Sequence, residues 1–146
     1  METLVVATTN QGKLREIREL LGGLSVGLRT LADYPVIAAP DETGATFDEN
    51  ARQKALYYAL TTNGLTVAED SGLEIDAMGG APGVQSARFG GEDSTYAEKF
   101  RLIYGALANA GVTTSAARFV CALAVARDEQ VLFEARGVIE GTIAPE

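Results

Sequence analysis

Three features of the sequence predict an α/β fold. Leu4-Val5-Val6-Ala7 is a short apolar run, and Leu14, Ile17, Leu20 and Leu21 follow it at helical spacing, the order strand, loop, helix. Tyr96, Phe100, Ile103 and Leu107 recur 4, 3 and 4 residues apart, the stripe of a helix that covers a sheet. Phe119 to Ala126 is continuously apolar, as in a strand buried on both faces. A chain of 146 residues that is 47% hydrophobic can bury a core, and residues 1–146 are expected to form a single domain.

The first helix is expected to stop at Gly22-Gly23. The loop before it, Thr8-Thr9-Asn10-Gln11-Gly12-Lys13, is rich in hydroxyl, amide and glycine groups and leads into a helix N-terminus, where free N–H groups and the positive dipole end suit a phosphate. Lys13 in the first turn runs against that dipole, by about a few tenths of a kcal/mol unless an anion lies close. The spacing is not that of a Walker A loop. A plain Asn or Thr cap before an ordinary amphipathic helix explains the same residues.

Leu24 to Leu31 reads as a second strand, and Tyr34 to Pro40 as an irregular connection. Thr46 and Glu49 have capping-box spacing, so a helix is predicted from there to about Thr62, with Gly64 ending it. Lys54 shares a face of that helix with Asn50, Ala51, Ala55 and Tyr58. On a buried face its ammonium needs a charge partner or a ligand anion; otherwise its head reaches the surface.

Leu65 to Ala68 reads as a strand that delivers Glu69 and Asp70 to its end, before a turn-forming Ser71-Gly72. Neighbouring side chains on a strand face opposite ways, so one carboxylate can enter a cleft while the other braces it or faces elsewhere. The same stretch reads equally as an ordinary acidic boundary between strand and turn. Leu73, Ile75 and Ala77 then alternate with Glu74 and Asp76, the pattern of a half-exposed strand, and Gly79 to Gly83 marks a loop. Arg88 is either a phosphate fork or a surface charge, and residue type alone favours the latter.

Asp93, Ser94 or Thr95 caps the helix that begins at Tyr96 and ends near Gly111. Asp128-Glu129-Gln130 supplies a turn, and Val131 to Ile139 pairs back on the preceding strand. Gly141 to Glu146 reads as a strand or loop with no packing element after it.

Composition narrows the chemistry. With no histidine, Ser-His-Asp and Cys-His nucleophilic systems and His-containing zinc sites are excluded, and acid–base work falls to carboxylates, lysines or tyrosines. The single cysteine, Cys121, reads as a small buried hydrophobe. A net charge of −8 argues against nucleic acid as a partner but leaves a small anionic substrate open, with Mg2+ the natural companion of carboxylate-rich phosphate chemistry. No leader and no apolar run near 18 residues is visible, so a cytoplasmic protein without a membrane partner is expected.

Taken together, Thr8 to Lys13, Glu42-Thr43-Gly44, Phe47 through Asn50 to Lys54, Glu69-Asp70-Ser71-Gly72-Leu73, Gly79 to Gly83 and Ser86-Ala87-Arg88 closely resemble the inosine triphosphatases, also called dITP/XTP pyrophosphatases. That family acts on non-canonical purine nucleoside triphosphates. The resemblance implies Mg2+-dependent hydrolysis of ITP, dITP and XTP to the monophosphate and pyrophosphate, cleansing the nucleotide pool. It further implies an elongated α/β fold around a long mixed β-sheet flanked by helices, with a central active-site cleft, and a homodimer.

By position, Asp70 matches the catalytic base and metal contact, with Glu69 as its acidic neighbour. Glu42 matches the acidic metal position, with Asp41 able to share or take that role. Lys54 matches the phosphate-contacting lysine. Thr8, Thr9, Asn10, Gln11, Gly12 and Lys13 match the triphosphate loop, Ser71 a substrate contact, and Arg88 falls in a motif of the substrate site. Family members continue past the position of Glu146 through the motifs that hold the base, so the C-terminal segment of the pattern is expected to be lacking. The alternatives are a Maf-type pyrophosphatase of modified nucleotides and an inactive nucleotide-binding fragment.

Overall fold

In a computed structural model, which describes residues 2–146, eight main elements follow one another among the described residues: β1 (Glu2–Val6), α1 (Gln11–Leu21), β2 (Val26–Thr30), α2 (Phe47–Thr62), β3 (Leu65–Ile75), α3 (Tyr96–Asn109), β4 (Ala116–Arg127) and β5 (Gln130–Thr142). The strands form one mixed sheet in the order β2-β1-β3-β4-β5. The α/β class is as the sequence predicts. β1 lies parallel to both neighbours, with Val5 opposite Arg29 on one side and Thr66 on the other. β4 and β5 are joined by only Asp128 and Glu129, a connection that antiparallel strands alone allow. Asp128 takes the left-handed backbone such a turn requires, at φ 54°.

The chain divides into two compact units. The first holds the residues up to Gly44 together with Asp48–Asp70 and Ala122–Ala135. Val5, Val6 and Ala7 of β1 and its exit are buried there, as is one face of α2 made of Asn50, Ala51, Ala55, Tyr58 and Ala59. Small side chains at three- and four-residue spacing let this helix lie close to its neighbours. The left-handed residue that closes α2 is Asn63, at φ 51°, in place of the expected Gly64.

The second unit holds Ala45–Phe47, Ser71–Cys121 and Arg136–Glu146. Its core is Ile75, Ile103, Leu107 and Ala117, with Leu73, Met78, Phe89 and Tyr104 packed against it. Of the three capping candidates for α3, Thr95 is the one used: it accepts from the Glu98 N–H, and Glu98 returns the bond in a capping box. The predicted stripe is buried only in its second half, since Tyr96 and Phe100 are exposed.

Two expectations are corrected. Glu69-Asp70-Ser71-Gly72 is not a strand end followed by a turn, because β3 runs unbroken from Leu65 to Ile75. Gly72 is needed for a close approach instead: a Cβ there would collide with Ser86 Oγ and lie 2.8 Å from the Gly83 carbonyl oxygen. Ser86 Oγ accepts from the Leu73 N–H at 2.9 Å and donates to Gly83 O at 2.6 Å, holding the loop to the strand. β4 is likewise not buried on both faces: Ala122, Ala124 and Ala126 are buried, whereas Phe119 and Cys121 are exposed. A run of apolar residues carries no alternation from which the outward face could be read.

Candidate active site

The register of β1 against β3 organises the site in the first unit. Val6 pairs with Val67, and the Ala7 N–H donates to Val67 O at 2.9 Å, so the chain leaves β1 beside Val67, shortly before β3 reaches Asp70. Ligand-binding groups belong at this carboxyl end of parallel strands. The loop that follows is held by its own polar groups. Thr8 Oγ1 accepts from the Asn10 N–H at 3.2 Å, and Asn10 Oδ1 caps α1 by accepting from the Lys13 N–H at 3.1 Å. The capping explanation of Asn10 is therefore correct. Gly12 leaves room for it, since a Cβ would stand 3.2 Å from the Asn10 amide oxygen.

β3 then separates its two acids as a strand must. Thr66, Ala68 and Asp70 share the buried face, and Glu69 points the other way into an ion pair with Lys13. Lys13 is thus brought to β3 by α1, with its charge already met by a carboxylate. Ser71 is half-buried and begins the second unit's share of the strand.

On the Asp70 face, α2 supplies the partners. Lys54 Nζ donates to Glu42 Oε1 at 2.8 Å and lies 3.7 Å from Asp70 Oδ1. Asn50 Nδ2 donates to the other Asp70 oxygen, Oδ2, at 3.1 Å. Asn50 and Lys54 stand one helical turn apart, so a single face of α2 addresses both oxygens of one carboxylate. Asp70 is 8% exposed. Burial raises its carboxyl above the ordinary aspartate value, Lys54 and the Asn50 hydrogen bond pull it down, and the Glu42 and Glu69 charges push it up again. Burial likewise raises the Tyr58 phenol, one turn beyond Lys54, which keeps it protonated.

Of the residues singled out by sequence, the structure brings together Glu42, Lys54 and Asp70, and separately Lys13 and Glu69. Asp41 is exposed, whereas Glu42 beside it takes the ion pair. Arg88 is exposed at the end of a short 3-10 segment in the second unit. Asn50 is the residue that sequence reasoning missed as part of the site. The available signal was a polar side chain one turn before Lys54 on a face otherwise lined by alanine and Tyr58.

Glu42 and Asp70 converge on one ammonium, and a pair of carboxylates completed by substrate phosphates is a common way to hold Mg2+. The donor set fits such an ion. Among the described residues no group of three or more acids stands ready to hold one unaided. No described helix is long and apolar enough to cross a membrane.

Residues 4–146 match the model of the Ham1 family. The dITP/XTP pyrophosphatase of Exiguobacterium sibiricum is 42% identical over 140 residues, which cover 96% of this chain and 71% of the relative. That of Gloeobacter violaceus is 47% identical over 143 residues, covering 98% and 69%. Among solved structures, a HAM1 protein from Coxiella burnetii superposes with a TM-score of 0.93 at 38% identity, over 100% of this chain and 75% of that one.

Proposed function

The chain belongs to the Ham1 family, and we propose that it is a nucleoside triphosphate pyrophosphatase that hydrolyses ITP, dITP and XTP to the monophosphate and pyrophosphate. This activity would clear deaminated purines from the cytoplasmic nucleotide pool. The observation that carries the site assignment is Asp70, a carboxylate nine-tenths buried whose two oxygens are held by Lys54 and Asn50 at the end of a parallel strand pair. The family match leaves the Maf-type alternative without support.

Asp70 is the general base in this reading. A base beside Mg2+ needs no raised proton affinity, because the ion would make the attacking water acidic instead. Glu42 and Asp70 would hold Mg2+, which supplies charge neutralisation on the phosphates and acidifies water. Lys54 is bound by carboxylates on one side and is free to stabilise negative charge that grows on the leaving pyrophosphate. Glu69 holds Lys13 at the mouth of the Thr8 to Lys13 loop, where the lysine meets the triphosphate together with the α1 N-terminus. Ser71 and Arg88 are further substrate contacts in the same reading. The family resemblance also supports a homodimer, which light scattering on the purified protein tests.

The activity is decided with a panel of ITP, dITP, XTP, ATP, GTP and a modified pyrimidine triphosphate, assayed with Mg2+ for both pyrophosphate and orthophosphate. Pyrophosphate release with preference for the inosine and xanthosine nucleotides is expected. Orthophosphate release, or equal rates on ATP and GTP, overturns the assignment.

A further inference from the structure

We propose that Asn50 is a positioning residue that fixes Asp70 relative to the segment carrying Glu42, and so sets the spacing of the two carboxylates. The inference rests on the reading of Asp70 as the base. Asn50 is 1% exposed, and both ends of its amide are engaged. Its Oδ1 accepts from the Gly44 N–H at 2.8 Å, and its Nδ2 donates to Asp70 Oδ2 at 3.1 Å. The backbone N–H can only donate, so it must face the amide oxygen, and the NH2 group is left to face the carboxylate. The partners therefore dictate the orientation of the amide.

Gly44 is shaped to this contact. A Cβ at that position would stand 2.6 Å from Asn50 Oδ1 and 2.8 Å from Glu49 Cβ, so any larger residue drives the amide away. Glu42 lies two residues before Gly44, with its carboxylate 2.8 Å from Lys54 Nζ. One amide thus joins Asp70 on β3, the backbone of the Glu42 segment and the turn of α2 that carries Lys54. Asp70 and Glu42 come from different parts of the chain and repel one another; the Lys54 ammonium draws both inward, but a point charge does not fix the direction in which each is held. A buried amide with both ends satisfied does so without adding charge.

The test compares Asn50→Ala, Gly44→Ala and the double variant with the parent protein. Steady-state kinetics on ITP at saturating Mg2+ give kcat and KM, calorimetry of Mg2+ added to protein saturated with inorganic pyrophosphate gives its Kd, and scanning fluorimetry gives the thermal midpoint. Each single variant is expected to lose about 10- to 100-fold in kcat, with a weaker Mg2+ Kd and a KM within about threefold, as for the loss of an outer partner of a metal ligand. The double variant should lose less in kcat than the two single losses multiplied together, because part of the Gly44→Ala effect acts through the amide that is already gone, while its clash with Glu49 Cβ remains.

A lowered midpoint with kcat and Mg2+ Kd both within about twofold of the parent would leave Asn50 merely structural and overturn the proposal. Should Asn50→Ala fail to fold, Gly44→Ala decides by the same readouts. Asp70→Asn, run alongside, separates the two levels. Retained turnover there removes the base assignment and this inference with it, whereas lost turnover beside an unchanged Asn50→Ala overturns the inference alone.

Discussion

Lys54 and Arg118 are both basic side chains ringed by acids, and the contrast between them shows what turns a charge cluster into a site. Arg118, on β4 in the second unit, meets Asp76 at 2.9 Å through Nη1 and Glu140 at 3.0 Å through Nε, with Glu74 at 3.7 Å. Its planar fork is saturated by these acids, which raise the guanidinium pKa further and leave it permanently charged. Asp76 and Glu140 remain 54% and 65% exposed at their side chains, so water still hydrates most of the charge. Lys54 has a point charge and two acids, and the side chains of Lys54 and Asp70 are only 18% and 11% exposed. Negative charge exceeds positive in both clusters, but only around Asp70 is it poorly hydrated. A dry surplus of carboxylate invites a cation; a wet one is an ordinary surface network.

The sharpest way to break this contrast is Asp70→Asn, which keeps the shape and removes the charge. Turnover should fall by about 10^3- to 10^4-fold, measured as kcat on ITP with saturating Mg2+. The same substitution should raise the thermal midpoint of the metal-free protein at neutral pH. The native state binds the Asp70 proton more tightly than the unfolded chain does, because its pKa is raised. The penalty is therefore absent below the unfolded value, grows as pH rises through the native value and is complete above it. Melting curves in EDTA across acid to neutral pH should converge at the acid end for parent and variant; a parent that gains on the variant as pH rises would contradict the burial argument.

Next in size is Lys54→Ala, expected to lower kcat by about 10^2-fold through lost stabilisation of the leaving group. Lys54→Arg should not restore it, since a guanidinium engaged by the Glu42 and Asp70 carboxylates is larger and less able than a compact ammonium to reach the leaving group as well. Full recovery by arginine would mean that charge alone matters there. The smallest effect belongs to Arg118→Ala. Its kcat/KM should stay within about threefold of the parent, as expected for an exposed network away from the chemistry. A loss as large as that of Lys54→Ala would erase the distinction between the two clusters.

Much of the site was legible in the residues, and what escaped follows a pattern. Asn10 as cap, Thr95 among the three cap candidates of α3 and the opposite facing of Glu69 and Asp70 all depend on positions within a few residues of each other. Lys54 on a buried face was legible from helical spacing alone. Ser71-Gly72 misled because its turn propensity is real but weaker than the contacts that hold β3 extended, and Gly72 answers to Ser86 across a loop. Cys121 misled because a uniform apolar run shows no outward side.

Strand and helix alternation, caps and the acid pair are set by chemistry between near neighbours, and they are written in order along the chain. Which acid is buried, and beside what, arises from partners far away in sequence. Glu69 meets Lys13 across a separation of 56 residues, and Asp70 meets Asn50 across 20. Two adjacent carboxylates become unlike in their surroundings because one faces a lysine beside the loop and the other is drawn under a helix, where burial raises the Asp70 carboxyl.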